Sequence, residues 1–160
     1  ARWAHGMAGA TTDRDLAVDI WDDGLDVARS LNPRHLVVHL LIGLQLHFTA
    51  SHGELAATLA RCRDTLRLAL DHHYLAGTSH LFGVTAIVLA RAGRAETGAQ
   101  LLGCMLANGH VPRPNASRAI DKALGDEAAA NIDRGRKLAI NDAADMAIAA
   151  LSDALEEASP

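Results

Sequence analysis

The stretch Leu81-Phe82-Gly83-Val84-Thr85-Ala86-Ile87-Val88-Leu89-Ala90-Arg91-Ala92-Gly93 decides the fold, because it has a counterpart 40 residues earlier. There Leu41-Ile42-Gly43 matches Leu81-Phe82-Gly83, Ala50 matches Ala90, and Gly53 matches Gly93. In both copies a broadly apolar run ends at a glycine and an amphipathic run begins. A repeat of this length is the mark of stacked helical hairpins, each too small to bury its apolar face alone. Such arrays organise other proteins or domains more often than they carry out chemistry.

Outward from the second copy the same rhythm continues. Upstream, residues 54–72 place Leu55, Leu59, Cys62, Leu66 and Leu70 on one helical stripe, with Arg61, Arg63, Asp64 and Arg67 elsewhere. Ser51-His52-Gly53 forms the turn before it. Residues 34–50 are more evenly apolar, through Val37, Leu40, Leu41, Leu44 and Phe48. Residues 13–31 form a helix lined by Leu16, Ile20, Val27 and Leu31, capped by Thr11, Thr12 or Asp13. Asn32-Pro33 stops it, because a residue before proline avoids the helical region. Downstream, Arg94–Asn108 reads as a one-sided outer helix with Leu101, Leu102 and Met105 inward. Two-sided inner helices therefore alternate with one-sided outer ones. Gly43 and Gly83 fall mid-helix, at a cost of about 1 kcal/mol relative to alanine. Close approach of the paired helix is the expected compensation.

The repeat stops at His110-Val111-Pro112-Arg113-Pro114-Asn115, an extended loop by virtue of its two prolines. Three short helices come after it. Asn115 is the expected cap of the first, which Gly125 ends. Asp126 is the expected cap of the second, which Gly135 ends. Leu138 and Ile140 bracket a connector, and Asn141 is the expected cap of the third, which presents Ala144, Ile148, Leu151 and Leu155 on one face. The chain is thus expected to be all-α: helical-hairpin repeats over 1–109, with a period of about 40 residues, and a C-terminal three-helix cap over 110–160 packed on them.

Composition agrees. Hydrophobic residues make up 49% but aromatics only 3%, so alanine, the best helix former, supplies much of the difference. A formal charge of −4 excludes a broadly basic, nucleic-acid-coating surface. No 18-residue apolar run suggests a membrane span, and no signal peptide is visible. Cys62 and Cys104 lack metal-ligand spacing and read as buried small apolar residues, as suits a reducing cytoplasm. The opening Ala1-Arg2-Trp3 and the closing Glu156-Glu157-Ala158-Ser159-Pro160 read as the ends of a piece of a longer polypeptide. Lys122 and Lys137 are the only lysines, an arginine bias that points to a high-GC bacterial genome.

Residues able to carry chemistry are scattered. His35 and His39 lie one helical turn apart, but Leu36 stands where a metalloprotease helix needs glutamate, and no third ligand is placed. His72-His73 close a helix, where histidine complements the dipole. Asp22-Asp23 and Glu156-Glu157 read as solvated faces. No glycine-rich phosphate loop and no nucleophile motif occurs. Arg134, Arg136 and Lys137 could serve a helix-turn-helix, yet the last helix carries Asp142, Asp145 and Asp153, which phosphate repels. The sequence thus nominates no catalytic, cofactor-binding or metal-binding residue.

Two further segments carry a resemblance. Ala90-Arg91-Ala92-Gly93-Arg94-Ala95-Glu96 followed by Ala99-Gln100-Leu101-Leu102-Gly103 resembles the last repeat of large actinobacterial transcriptional regulators. In these an ATPase module precedes tetratricopeptide-like repeats, sometimes with a LuxR-type helix-turn-helix or a cyclase domain. Ala123-Leu124-Gly125-Asp126-Glu127 and Gly135-Arg136-Lys137-Leu138-Ala139-Ile140-Asn141-Asp142-Ala143-Ala144 look like the family's closing helices. The resemblance spans roughly residues 13–155. It departs from strict tetratricopeptide repeats, whose period is about 34 residues, and His39 and Ser79 stand where large side chains are common. The ATPase, cyclase and DNA-binding residues of such regulators have no counterpart here.

The function expected from these residues is that of a non-catalytic, cytoplasmic interaction module. It would bind a protein partner, its own ATPase module or, as a homodimer, a second copy of itself. It would bind no membrane and no nucleic acid itself. His35, His39, His47 and His80 are the candidate groove-lining positions. Alternatives are a small-molecule inducer sensor using the repeat groove, or a helix-turn-helix DNA-binding segment.

Overall fold

In the computed structural model the described residues are 54–158 except His72 and Tyr74, with backbone alone for 75–77. The chain divides at Gln45–Leu46 into two compact units, and all the described helices belong to the second. The first copy of the 40-residue echo, the helices expected over 13–31 and 34–50, and His35, His39 and His47 lie outside the described residues.

Six helices and no strand make up the described residues: α1 (Leu55–Asp71), α2 (Leu75–Arg91), α3 (Ala95–Ala107), α4 (Pro114–Leu124), α5 (Glu127–Gly135) and α6 (Ile140–Ala158). The all-α expectation holds for this part of the chain. Helix α1 buries Leu59, Cys62 and Leu66, with Thr58, Thr65 and Ala69 beside them. Thr58 and Thr65 return their hydroxyls to the carbonyls of Glu54 and Arg61, at 2.7 Å each, so they enter the interior with their polarity satisfied. Glu54 caps the helix, its carboxylate accepting the N–H groups of Ala56 and Ala57 at 3.0 and 2.7 Å.

Helix α2 is central, touching α1, α3, α4 and α6. Leu81 through Leu89 are all buried, and the helix carries no charge before Arg91. A helix apolar on every side has no stable place but the interior. Full burial of side chains such as Phe82, Leu89 and Val88 contributes about 1.5–3 kcal/mol each. The helix ends as its glycine predicts. Gly93 takes φ +73°, the Arg94 N–H reaches the Leu89 carbonyl at 2.8 Å, and the Gly93 N–H reaches Ala90 at 3.3 Å. This left-handed glycine cap satisfies carbonyls the helix would leave open.

Helix α3 departs from the one-sided expectation. Leu101, Leu102, Gly103, Cys104 and Met105 are buried in succession, because α2, α4, α5 and α6 all pack against the helix. Glycine permits this. A Cβ on Gly103 would overlap the carbonyl of Ile132 and stand 2.9 Å from the Arg136 nitrogen. A Cβ on Gly135 would overlap the Gln100 carbonyl and come 2.5 Å from its Cα. Gly83, where the sequence predicts close approach, needs no such space: its Cβ would meet only the Met105 side chain, at 3.5 Å.

The C-terminal helices also differ in detail. Helix α4 begins at Pro114, after Arg113 in extended geometry, so Asn115 lies inside the first turn. Proline suits that position because its missing N–H would have no partner there anyway. Asp126 stands at the start of α5 but is itself helical and makes no side-chain cap. Helix α6 begins at Ile140, with the Ala143 N–H on the Ala139 carbonyl at 3.0 Å, which puts Asn141 in its first turn. Ala143, Ala144, Ala147, Leu151 and Ala154 form its buried face. This face packs on α1, α2 and α3, so the last helix returns to the first described one. Arg94 and Glu157 form an ion pair between the α2–α3 turn and the end of α6.

Candidate functional site

The segment joining α3 to α4 is the most distinctive surface among the described residues. Its first half is fixed by the end of α3. Asn108 donates through Nδ2 to the Cys104 carbonyl at 2.8 Å, Gly109 takes φ +77°, and the His110 N–H reaches Met105 at 2.9 Å. This is the α2 ending repeated one helix later. The second half is fixed by the start of α4, where the Arg113 carbonyl accepts the Ala116 N–H at 2.9 Å. Between these anchors stands Val111, 84% exposed and the exposed large hydrophobic residue among those described. Water contact with this apolar side chain is unfavourable.

His110 lies edge-on to His80 of α2, with ring centroids 6.1 Å apart and planes at 76°. Of the four candidate groove-lining histidines, His80 is thus the one within the described residues, and it is exposed on α2. His73 follows α1 in the left-handed region, φ 53°, with its backbone N–H on Leu70 at 2.9 Å; His72 lies outside the described residues. No three His, Cys, Asp or Glu gather in a metal-binding arrangement among the described residues.

Both cysteines are buried and free. Burial pushes the Cys62 thiol up to about 12, against a smaller opposing effect of the Thr85 hydroxyl. Burial also raises Cys104, partly offset by Asn108, and its Sγ lies 3.6 Å from the Leu138 carbonyl. A thiol held protonated is a poor nucleophile and a poor metal ligand, so the two behave as the small apolar residues the sequence suggests. Arg134 and Lys137 are exposed at the end of α5, and Arg136 pairs with Asp133 at 3.4 Å. Asp142, Asp145 and Asp153 are exposed along α6. Among the described residues no helix is long and apolar enough to cross a membrane.

From the sequence, 110–115 reads only as the point where the repeat ends. A signal for more is nonetheless present: Val111 and Arg113 each precede a proline, and such residues are steered to extended geometry. Compared with family models, with curated proteins and with solved structures, the chain matches none.

Proposed function

We propose that this chain is a non-catalytic helical interaction module of a multidomain signalling or transcriptional regulator. It docks a protein partner or a neighbouring ATPase module of the same polypeptide in the cytoplasm. On this reading the hairpins α1–α2 and α2–α3 derive from tetratricopeptide-like repeats, and α4–α6 close them.

The carrying observation is Val111, 84% exposed on a loop held by backbone hydrogen bonds at the end of α3 and the start of α4. An exposed apolar side chain on a loop hydrogen-bonded at both ends supports this reading, since such a loop has less ordering entropy to lose on binding. The resemblance of residues 90–103 and 123–144 to actinobacterial regulators supplies the multidomain context.

Light scattering of the purified chain with the neighbouring module of its parent polypeptide tests the reading. A stoichiometric complex in at least one nucleotide state is expected. Absence of association with and without ATP or ADP would overturn it.

A further inference from the structure

We propose that Asn108-Gly109, at the end of α3, is a self-modifying site. The folded helix end holds back deamidation of Asn108, and once the reaction has occurred that end cannot close as before. The chemistry needs only this chain and water, and does not depend on the interaction-module reading.

Asparagine followed by glycine favours this chemistry, because the second residue has no Cβ to crowd its own nitrogen. The pair occurs once in the sequence, at 108–109. Both residues are exposed, and nothing lies within 4 Å of where a Gly109 Cβ would stand. The Gly109 nitrogen attacks Asn108 Cγ. The N–Cγ bond forms, the Cγ–Nδ2 bond breaks, and ammonia leaves with the proton of the Gly109 N–H. Water then opens the cyclic imide. Addition at Cγ gives aspartate. Addition at the main-chain carbonyl gives isoaspartate, whose backbone runs through Cβ and Cγ. In sum, amide and water become acid and ammonia, with no change of oxidation state.

The folded chain obstructs each part of the attack. Asn108 has φ −97° and ψ 17°. At that ψ the Gly109 nitrogen lies near the Asn108 nitrogen, whereas ring closure needs it beside Cβ. The Gly109 N–H is held by the Leu106 carbonyl at 3.2 Å. The Asn108 amide is turned back along the helix, with Nδ2 donating to the Cys104 carbonyl at 2.8 Å. Attack therefore requires both hydrogen bonds to break and the peptide to rotate. That is a local opening of the last turn, of the kind helix ends undergo without global unfolding.

The product no longer fits the end it came from. Either acid replaces the amide donor with a carboxylate facing the Cys104 carbonyl. It stands at the helix end where negative charge is disfavoured. Isoaspartate also lengthens the main chain before Gly109. The Gly109 and His110 N–H groups then fall out of register with Leu106 and Met105, their acceptors in the folded chain. The segment leading to α4 is thereby released at its α3 end, irreversibly.

The test incubates three samples at neutral pH: the whole folded chain, the same chain in guanidinium chloride, and a synthetic peptide of residues 104–112. Peptide mapping by mass spectrometry and isoaspartate-specific carboxyl methylation follow modification at Asn108. The peptide and the denatured chain are expected to react, and the folded chain to react about tenfold more slowly or less. Amide hydrogen exchange is then compared between the fresh chain, the aged chain and Asn108→Asp. Exchange at Gly109 and His110 is expected to quicken by about tenfold or more in the aged chain and the variant, while Leu89 of α2 stays unchanged. No modification in the peptide, or equal rates in the peptide and the folded chain, would overturn the proposal. So would unchanged exchange at Gly109 and His110 after modification, or an equal loss of protection at Leu89.

Discussion

Gly103 rests its bare α-carbon on the peptide of Ile132, and three residues earlier on α3 Gln100 takes Gly135 in the same way. Two helices are brought into backbone contact by a glycine on each. Alanine at Gly103 or Gly135 is therefore expected to destabilise the chain by about 1–3 kcal/mol or more, since backbone cannot move aside as a flexible side chain can. Alanine at Gly83 meets only the Met105 thioether at 3.5 Å, and is expected to gain up to about 1 kcal/mol from helix propensity. Chemical denaturation of the three variants checks the opposite signs.

Gly93 and Gly109 test a different cost. Each has positive φ, +73° and +77°, with open space where a Cβ would stand, so substitution is penalised by conformation alone. Alanine is expected to cost about 1–2 kcal/mol at either position, and asparagine less, because its side chain tolerates the left-handed region. Thermal melts of Gly93→Ala against Gly93→Asn, and of the same pair at Gly109, would show the ordering.

Alkaline pH should expose the Cys62 thiol. Its ordinary value is 9.0 and burial raises it to about 12. Between these limits the unfolded chain gives up a proton that the folded chain keeps, so stability is full below pH 9 and declines as pH rises toward 12. Cys62→Ala is expected to show a shallower decline, measured as urea midpoints from about pH 8 upward.

The Arg94–Glu157 pair is partly exposed, with side-chain accessibilities of 32% and 64%. Solvent screening limits its worth, and a double-mutant cycle with alanine is expected to give a coupling below about 1 kcal/mol that shrinks with added salt.

Much of the described fold is legible in one dimension. The uncharged run from Leu75 to Ala90 announces a central helix, and Gly93 its end, because both signals are local: apolarity on every side and a residue free to take positive φ. What escapes is decided between helices. Nothing local distinguishes Gly83, which meets a flexible thioether, from Gly103, which meets a backbone. The one-sided reading of α3 fails for the same reason, since its outer side becomes core only where other helices cover it, as α5 covers Gly103. Capping chemistry points to Asn115 and Asn141 as helix starts, yet the helices begin one residue earlier, at Pro114 and Ile140. Val111 escapes notice in the sequence because a loop signal says where the chain turns and not what it exposes.

The return of α6 to α1 has a consequence for how this unit can be altered in evolution. An open-ended array can be lengthened by one more hairpin, since the added unit needs only the face before it. Here the alanine-rich side of α6 occupies surfaces of α1, α2 and α3 together. A hairpin inserted near residue 110 would push α6 away from all three at once, so this end of the molecule is expected to be fixed in length among variants of the sequence, with growth confined to loop tips such as Gly125-Asp126.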